Sequence, residues 1–247
     1  MTLPLYLTDP GSLDHATPGG EVTLRGVEAR HAVTVRRTRV GEWVTLADGC
    51  GLSVAGPVVV ADRDELTVRV ERVEHVPEAS PRFVLVQALA KNDRDDQAIE
   101  TATELGVDEV VPWQAQRSIV QWRGDRGEKA WRRWDHVLLA ATKQSRRARR
   151  PVLVPAVTTA GLVERIAGGG TAYVLHEEAD TPLAAITPPT TGDVLVIVGP
   201  EGGIAPAEVE ALRDAGATLV RLGPTVLRSS SAGPAALAVL SAAGRWR

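Results

Sequence analysis

The chain has almost no cysteine: Cys50 is the single one in 247 residues. That excludes an internal disulfide framework and fits a reducing compartment. No apolar run approaches the roughly 18–20 residues that a membrane span needs. The opening MTLPLYLTDPG has neither a basic stretch nor a long apolar core, so no secretory leader is expected and the sequence predicts a cytoplasmic protein. Lysine is scarce, with Lys91, Lys129 and Lys143 alone. The five histidines, at 15, 31, 75, 136 and 176, are scattered. None stands at metal-ligand spacing from another or from Cys50, and no metal is expected. There is no G-x-x-x-x-G-K-[ST] phosphate loop and no G-x-G-x-x-G fingerprint, which argues against ATP and NAD. No serine sits in a G-x-S-x-G elbow, which argues against a Ser–His–Asp hydrolase.

What is present is arginine, and it is clustered. The net charge of −3 speaks against nucleic acid, but the distribution speaks for it. From Arg117 to Arg150 there are eleven Lys/Arg against three Asp/Glu, densest in QSRRARRP (Gln144–Pro151). Planar guanidinium forks suit phosphate oxygens. A solvated surface would show the same run of charge.

The chain changes rhythm near residue 80. Before it, apolar or alternating stretches at Val22–Leu24, Trp43–Leu46, Leu52–Val60 and Leu66–Val73 are separated by turn residues, with one short helix expected over Ala29–Arg37. So many strands in residues 1–75 predict a small barrel. Glu74–Pro81 reads as a linker. Phe83–Ala90 is then a continuous apolar strand, with Asn92 or Asp93 placed to cap the next helix and Val107–Pro112 as the following strand. Strand–helix–strand order predicts a parallel sheet over 82–247. In the helix expected over Gly127–Ser145, Trp131, Trp134, Leu138 and Ala141 share one face, a core stripe.

Two turns carry the chemistry. VIVGPEGG ends a strand at Gly199–Gly203, and LGPTVLRSSSAG (Leu222–Gly233) ends the next strand, Thr218–Leu222, before an alanine-rich helix over Ala232–Ala243. Glycines there let bare backbone approach a ligand, and open α/β sheets bind small molecules at strand carboxyl ends. Leu222, Val226 and Leu227 offer an apolar floor beside amides able to read a purine edge. One of Ser229, Ser230 and Ser231 is expected to cap the last helix. Pro206 suits the first turn of its helix, whereas Ala205 is a poor cap, so the backbone donors there need another partner.

These motifs resemble the SPOUT superfamily of S-adenosylmethionine-dependent RNA methyltransferases, and within it the 16S rRNA uridine-N3 methyltransferase (RsmE) family. HAVTVRRTRVGE (His31–Glu42), ATELGVDEVVPWQAQRSIV (Ala102–Val120), LAATKQSRRARRP (Leu139–Pro151), VGPEGG and LGPTVLRSSSAG match its segments in order. The chain departs from the pattern at Ala205, where a serine or threonine commonly opens the helix, and at Ser229 and Ser231, where threonines are common.

The resemblance implies an α/β fold: a PUA-like β-barrel over 1–75, then a knotted parallel sheet with helices on both faces over 82–247. It implies S-adenosylmethionine as cofactor, held by Leu175, His176, Gly199, Pro200, Glu201, Gly202, Gly203, Leu222, Gly223, Pro224, Val226, Leu227 and Ser231. It implies RNA contacts from His31, Arg37, Arg117, Lys143, Gln144, Arg146 and Arg147. Arg228 would stabilise charge on the uracil, and Glu201 would either orient its loop or accept a proton. The implied partners are 16S rRNA in the small ribosomal subunit and a second copy of the chain, with no membrane and no metal. A ribose 2′-O-methyltransferase of the superfamily would usually carry an asparagine that LRSSSAG lacks. A non-catalytic RNA-binding assembly factor would have little use for intact glycines in both turns.

Overall fold

The computed structural model describes residues 3–91 and 94–246; Asn92 and Asp93, expected to cap a helix, lie outside the described residues. The chain forms two compact units, Met1–Glu78 with Thr142–Arg150, and Ala79–Ala141 with Pro151–Arg247. Segment 142–150, assigned from sequence to the C-terminal part, thus belongs to the first unit. The Gly51 N–H donates to the Ala148 carbonyl at 3.1 Å, the Arg150 N–H to that of Gly49 at 2.9 Å, and Arg149 Nε to that of Val76 at 2.7 Å.

The first unit is built from β1 (Leu5–Leu7), β2 (Glu21–Arg25), β3 (Trp43–Ala47), β4 (Leu52–Asp62), β5 (Glu65–Arg69) and β6 (Arg72–His75), in the order β1-β3-β4-β5-β2 with β6 also on β4. The eleven-residue β4 organises it. Its first half pairs with β3 and β6 and its second half with β5, with a register shift between Val58 and Val60 where the strand changes partners. The stretch Leu66–Val73, which alternates like one strand, is therefore two: Glu71 leaves β5 and hydrogen-bonds Ala55 on the other half of β4. Tyr6, Leu46, Val54, Leu66 and Val68 share a single core. The edge strands β1 and β2 do not pair with each other, so hydrogen bonds do not close the sheet into a ring. Helix α1 (Gly26–Arg30) runs on into a wider turn over His31–Val35, displaced from the expected Ala29–Arg37.

The second unit is a sheet parallel in every pairing, with strands β7 (Arg82–Ala88), β8 (Glu109–Gln114), β9 (Val152–Leu153), β10 (Val157–Thr158), β11 (Thr171–Leu175), β12 (Asp193–Val198) and β13 (Thr218–Val220). Their order is β10-β8-β7-β12-β11-β13, with β9 beside β8. RFVLVQA and DVLVIV are apolar on both faces because both are covered. On one face lie α2 (Arg94–Glu104), α3 (Gly124–Gln144, through residue 141) and α6 (Ser229–Ala243); on the other lie α4 (Thr159–Ala167) and α5 (Pro206–Asp214). Trp134, Leu138 and Ala141 are buried as the helical spacing predicts, whereas Trp131 is only half-buried and donates Nε1 to the Val154 carbonyl at 3.2 Å; Trp122 meets Trp134 edge-on with ring centroids 4.9 Å apart. Helix α6 comes unusually close to the sheet: a Cβ on Gly233 would stand 2.8 Å from Leu85 Cδ1. No helix among the described residues is long and apolar enough to cross a membrane.

Candidate active site

Three neighbouring strands, β12, β11 and β13, end side by side, and the segments after them enclose a cleft of about 740 Å³. That is the size of small-molecule and cofactor pockets generally. From β11 come Leu175, His176, Glu177 and Glu178; from β12, Gly199–Ile204; from β13, Arg221–Ser229. Arg94, opening α2, and Arg117, after β8, complete the wall.

The 199–203 turn is tightly folded. The Gly203 N–H closes it on the Pro200 carbonyl at 2.9 Å, and a Cβ on Gly199 would lie 2.6 Å from Ile204 Cγ1. Two arginines of the cleft wall grip it. Arg94 pairs with Glu201 at 3.3 Å, and Arg117 Nη1 donates to the Gly202 carbonyl at 3.1 Å. Beside Arg94, burial raises the Asp95 carboxyl above the usual carboxylate range, with Asp96 adding to the effect.

The 222–228 segment is different. Among the described residues, no hydrogen bond within the protein is made by the N–H groups of Leu222, Gly223, Thr225, Val226, Leu227 or Arg228. The segment is exposed or half-buried, so these donors stand open to water on the cleft wall and are available to a ligand. A Cβ on Gly223 would meet nothing within 4 Å. His176 fixes its own ring: Nδ1 accepts the Glu178 N–H at 3.3 Å, which leaves Nε2 as the protonated nitrogen of the neutral imidazole.

The cleft gathers every residue singled out for the cofactor except Ser231, together with Arg228. Ser231 is exposed and does not line the cleft; Ser229 does. The helix begins three residues earlier than its alanine-rich stretch, at Ser229. Arg228 occupies the capping position in extended backbone with no side-chain cap bond, so no serine caps α6. Arg94, Glu177, Glu178 and Arg221 also line the cleft and escaped the sequence reading. Reading the residues after every strand end, rather than the glycine turns alone, would have found the two glutamates and Arg94. At Ala205 the missing cap is replaced from within the helix: the Glu208 carboxylate accepts the Ala205 N–H at 3.2 Å.

Of the residues singled out for RNA, Arg117 alone lies in the second unit, on the cleft. His31, Arg37, Lys143, Gln144, Arg146 and Arg147 all belong to the first. Lys143 is committed to an ion pair with Glu28 at 3.1 Å. Arg37 (φ 58°) and Arg146 (φ 57°) both hold left-handed backbone with exposed side chains, each just beyond a helical segment, where glycine is the cheaper residue.

Residues 77–241 match the RNA methyltransferase domain family. The chain is similar to the ribosomal RNA small subunit methyltransferase E of Mycobacterium tuberculosis, 45% identical over 233 residues that cover 92% of this chain and 89% of the relative. Among solved structures it is similar to the ribosomal RNA small subunit methyltransferase E of Neisseria gonorrhoeae bound to S-adenosyl methionine (TM-score 0.84, 26% identity, 98% of each chain). It is also similar to a Legionella pneumophila methyltransferase in complex with its bound cofactor SAM (TM-score 0.83, 28% identity, 98% of each chain).

Proposed function

The chain belongs to the ribosomal RNA small subunit methyltransferase E family, and on that premise we propose that it methylates N3 of a single uridine near the 3′ end of 16S rRNA. Its cofactor is S-adenosylmethionine, the group bound in both structural neighbours. The observation that carries the reading is the set of open backbone donors at Leu222, Gly223 and Thr225–Arg228, on the wall of a cleft large enough for a nucleoside-sized ligand. The residues fit that cofactor. Amides beside Leu222, Val226 and Leu227 can read a purine edge above an apolar floor, and Gly199–Gly203 bring bare backbone to the opposite wall. Leu175, His176 and Pro224 also line the pocket, and Ser231 lies off its lining.

Bound there, the cofactor supplies an electrophilic methyl group on a sulfonium. The protein's tasks are to align N3 and to ease loss of its proton. N3 lies on the Watson–Crick edge, so the base must be unpaired or turned out of its stack. Arg228, exposed on the cleft, would stabilise negative charge that develops on the uracil oxygens. Glu201 faces Arg94, which favours a role in orienting its turn over one in accepting the proton.

His31, Arg37, Gln144, Arg146 and Arg147 would hold RNA phosphates on the first unit, with Lys143 steadying that surface through Glu28. A PUA-like barrel is supported by the single core to which β1, β2, β3, β4 and β5 all contribute. A C-terminal knot is supported by the course of 176–192. Leu183 bonds the Arg221 carbonyl and Thr181 accepts the Arg221 N–H, while the turn at Leu183–Ala185 packs on α6, which itself packs on β12. A homodimer would use the outer side of α6, where Ala235 and Ala238 are half-buried, since Ala236, Leu237, Val239 and Leu240 pack into the chain's own core. A cytoplasmic site follows from the substrate.

The test is to incubate the purified protein and labelled cofactor with small subunits from a deletion strain. Label in 3-methyluridine is expected. Label in a 2′-O-methyl nucleoside, or on another base, would replace the N3 assignment with the ribose reading or a different base. No transfer despite RNA binding would favour an assembly factor.

A further inference from the structure

Behind the cleft, and not lining it, is a buried carboxylate. Glu208, in the first turn of α5, is 6% exposed, and among the described residues no lysine or arginine pairs with it. Burying such a charge costs free energy unless hydrogen bonds replace the lost water. Three do. Oε1 accepts the Gln116 N–H at 2.8 Å and the Thr159 hydroxyl at 2.5 Å, and Oε2 accepts the Ala205 N–H at 3.2 Å. The positive end of α5 adds to them. Trp113, wholly buried, donates Nε1 to Thr159 Oγ1 at 3.2 Å and ties β8 into the same cluster.

The partners explain why the charge is kept. Ala205 ends the segment that begins at Gly199, and Gln116 precedes Arg117, whose guanidinium holds the Gly202 carbonyl. A single side chain therefore fixes both the cofactor turn and the strut that braces it. The surroundings present donors only. An ionised carboxylate, which only accepts, matches them; a carboxamide would turn an NH2 toward at least one N–H or O–H.

We propose that Glu208 is the positioning residue of the cofactor wall, setting the place of Gly199–Gly203 through the Ala205 and Gln116 amides without touching cofactor or RNA. This rests on the cofactor reading given above. The experiment uses the full chain and S-adenosylmethionine itself. In Glu208→Gln, the cofactor Kd from calorimetry is expected to rise about tenfold. RNA affinity should be unchanged, and kcat at saturating cofactor should stay within about twofold. Amide hydrogen exchange should quicken at Ala205 and Gln116 but not across the sheet. Thr159→Val, which removes the hydroxyl and leaves both amide bonds, should hold cofactor Kd within about twofold. If Glu208→Gln does not fold, Glu208→Asp, which keeps the charge one methylene short, carries the same expectations. An unchanged Kd in a folded variant overturns the proposal. So does joint loss of cofactor and RNA binding with faster exchange across the whole sheet, the sign of general destabilisation. Failure of the wild type to bind S-adenosylmethionine would instead defeat the functional reading, and the exchange at Ala205 and Gln116 would still decide the role of Glu208.

Discussion

The Arg94 guanidinium and the Glu201 carboxylate meet 3.3 Å apart at the rim of the cleft, both open to solvent. Exposed pairs of this kind contribute at most about 1 kcal/mol. Arg94→Ala should therefore lower the melting midpoint by no more than about 4 °C in scanning calorimetry. If Glu201 only orients its turn, Glu201→Gln should cost less than about tenfold in kcat. A loss of about a hundredfold or more would instead make its carboxylate the proton acceptor.

The two cofactor turns should respond differently to added bulk. A side chain at Gly199 collides with Ile204 within the protein, so Gly199→Val should lose both cofactor binding and stability. At Gly223 the added atoms meet only open space, so Gly223→Val should melt as the wild type does while its calorimetric cofactor affinity falls. Equal stability losses in the two variants would show that the second turn is not simply an open wall.

Arg228 acts in the proposal only as charge develops on the base. Arg228→Ala should reduce kcat about a hundredfold, the scale of losing one donor to a developing anion. Cofactor affinity should change by less than about twofold. Single-turnover kinetics beside calorimetry would separate the two. A matching loss in both would place Arg228 in the cofactor site instead.

Arg37 and Arg146 occupy backbone that glycine adopts more cheaply. In Arg37→Gly and Arg146→Gly, relief of strain should offset the added freedom of the unfolded chain, so melting should be nearly unchanged. RNA affinity should fall, and the slope of log affinity on log salt should shrink by about one for each phosphate no longer neutralised. Lys143→Glu should act on the stability of the first unit instead, because it turns the Glu28 ion pair into a repulsion.

The cleft was legible because its signal is local. Each glycine turn follows its strand directly, and the strand ends lie where parallel sheets gather ligands. What sequence could not show is what distant residues do to each other. Arg117 belongs to a basic run that reads as an RNA surface, yet its guanidinium closes on Gly202, 85 positions away. Lys143 belongs to the same run and is held by Glu28, 115 positions away. The return of 142–150 to the first unit rests on backbone bonds to Gly49 and Gly51, which carry no side-chain signature, and on Arg149 Nε reaching the Val76 carbonyl, 73 positions away. Strands β9 and β10 have two residues each, too few for any periodicity. The start of α6 was misplaced because the serines suggested a cap, whereas backbone geometry gives that position to Arg228.

The central pairing of the sheet sets when a cleft can exist. Strand β12 lies against β7, and their facing residues Arg82 and Asp193 are 111 positions apart. A contact of that span forms late, because a long loop must close before any gain is realised. The Gly199 turn hangs directly from β12, so an unfolded or half-folded chain offers the cofactor no wall to bind. Ligand should then prolong the life of the native state without hastening its formation: with increasing S-adenosylmethionine, unfolding slows and the refolding rate stays the same.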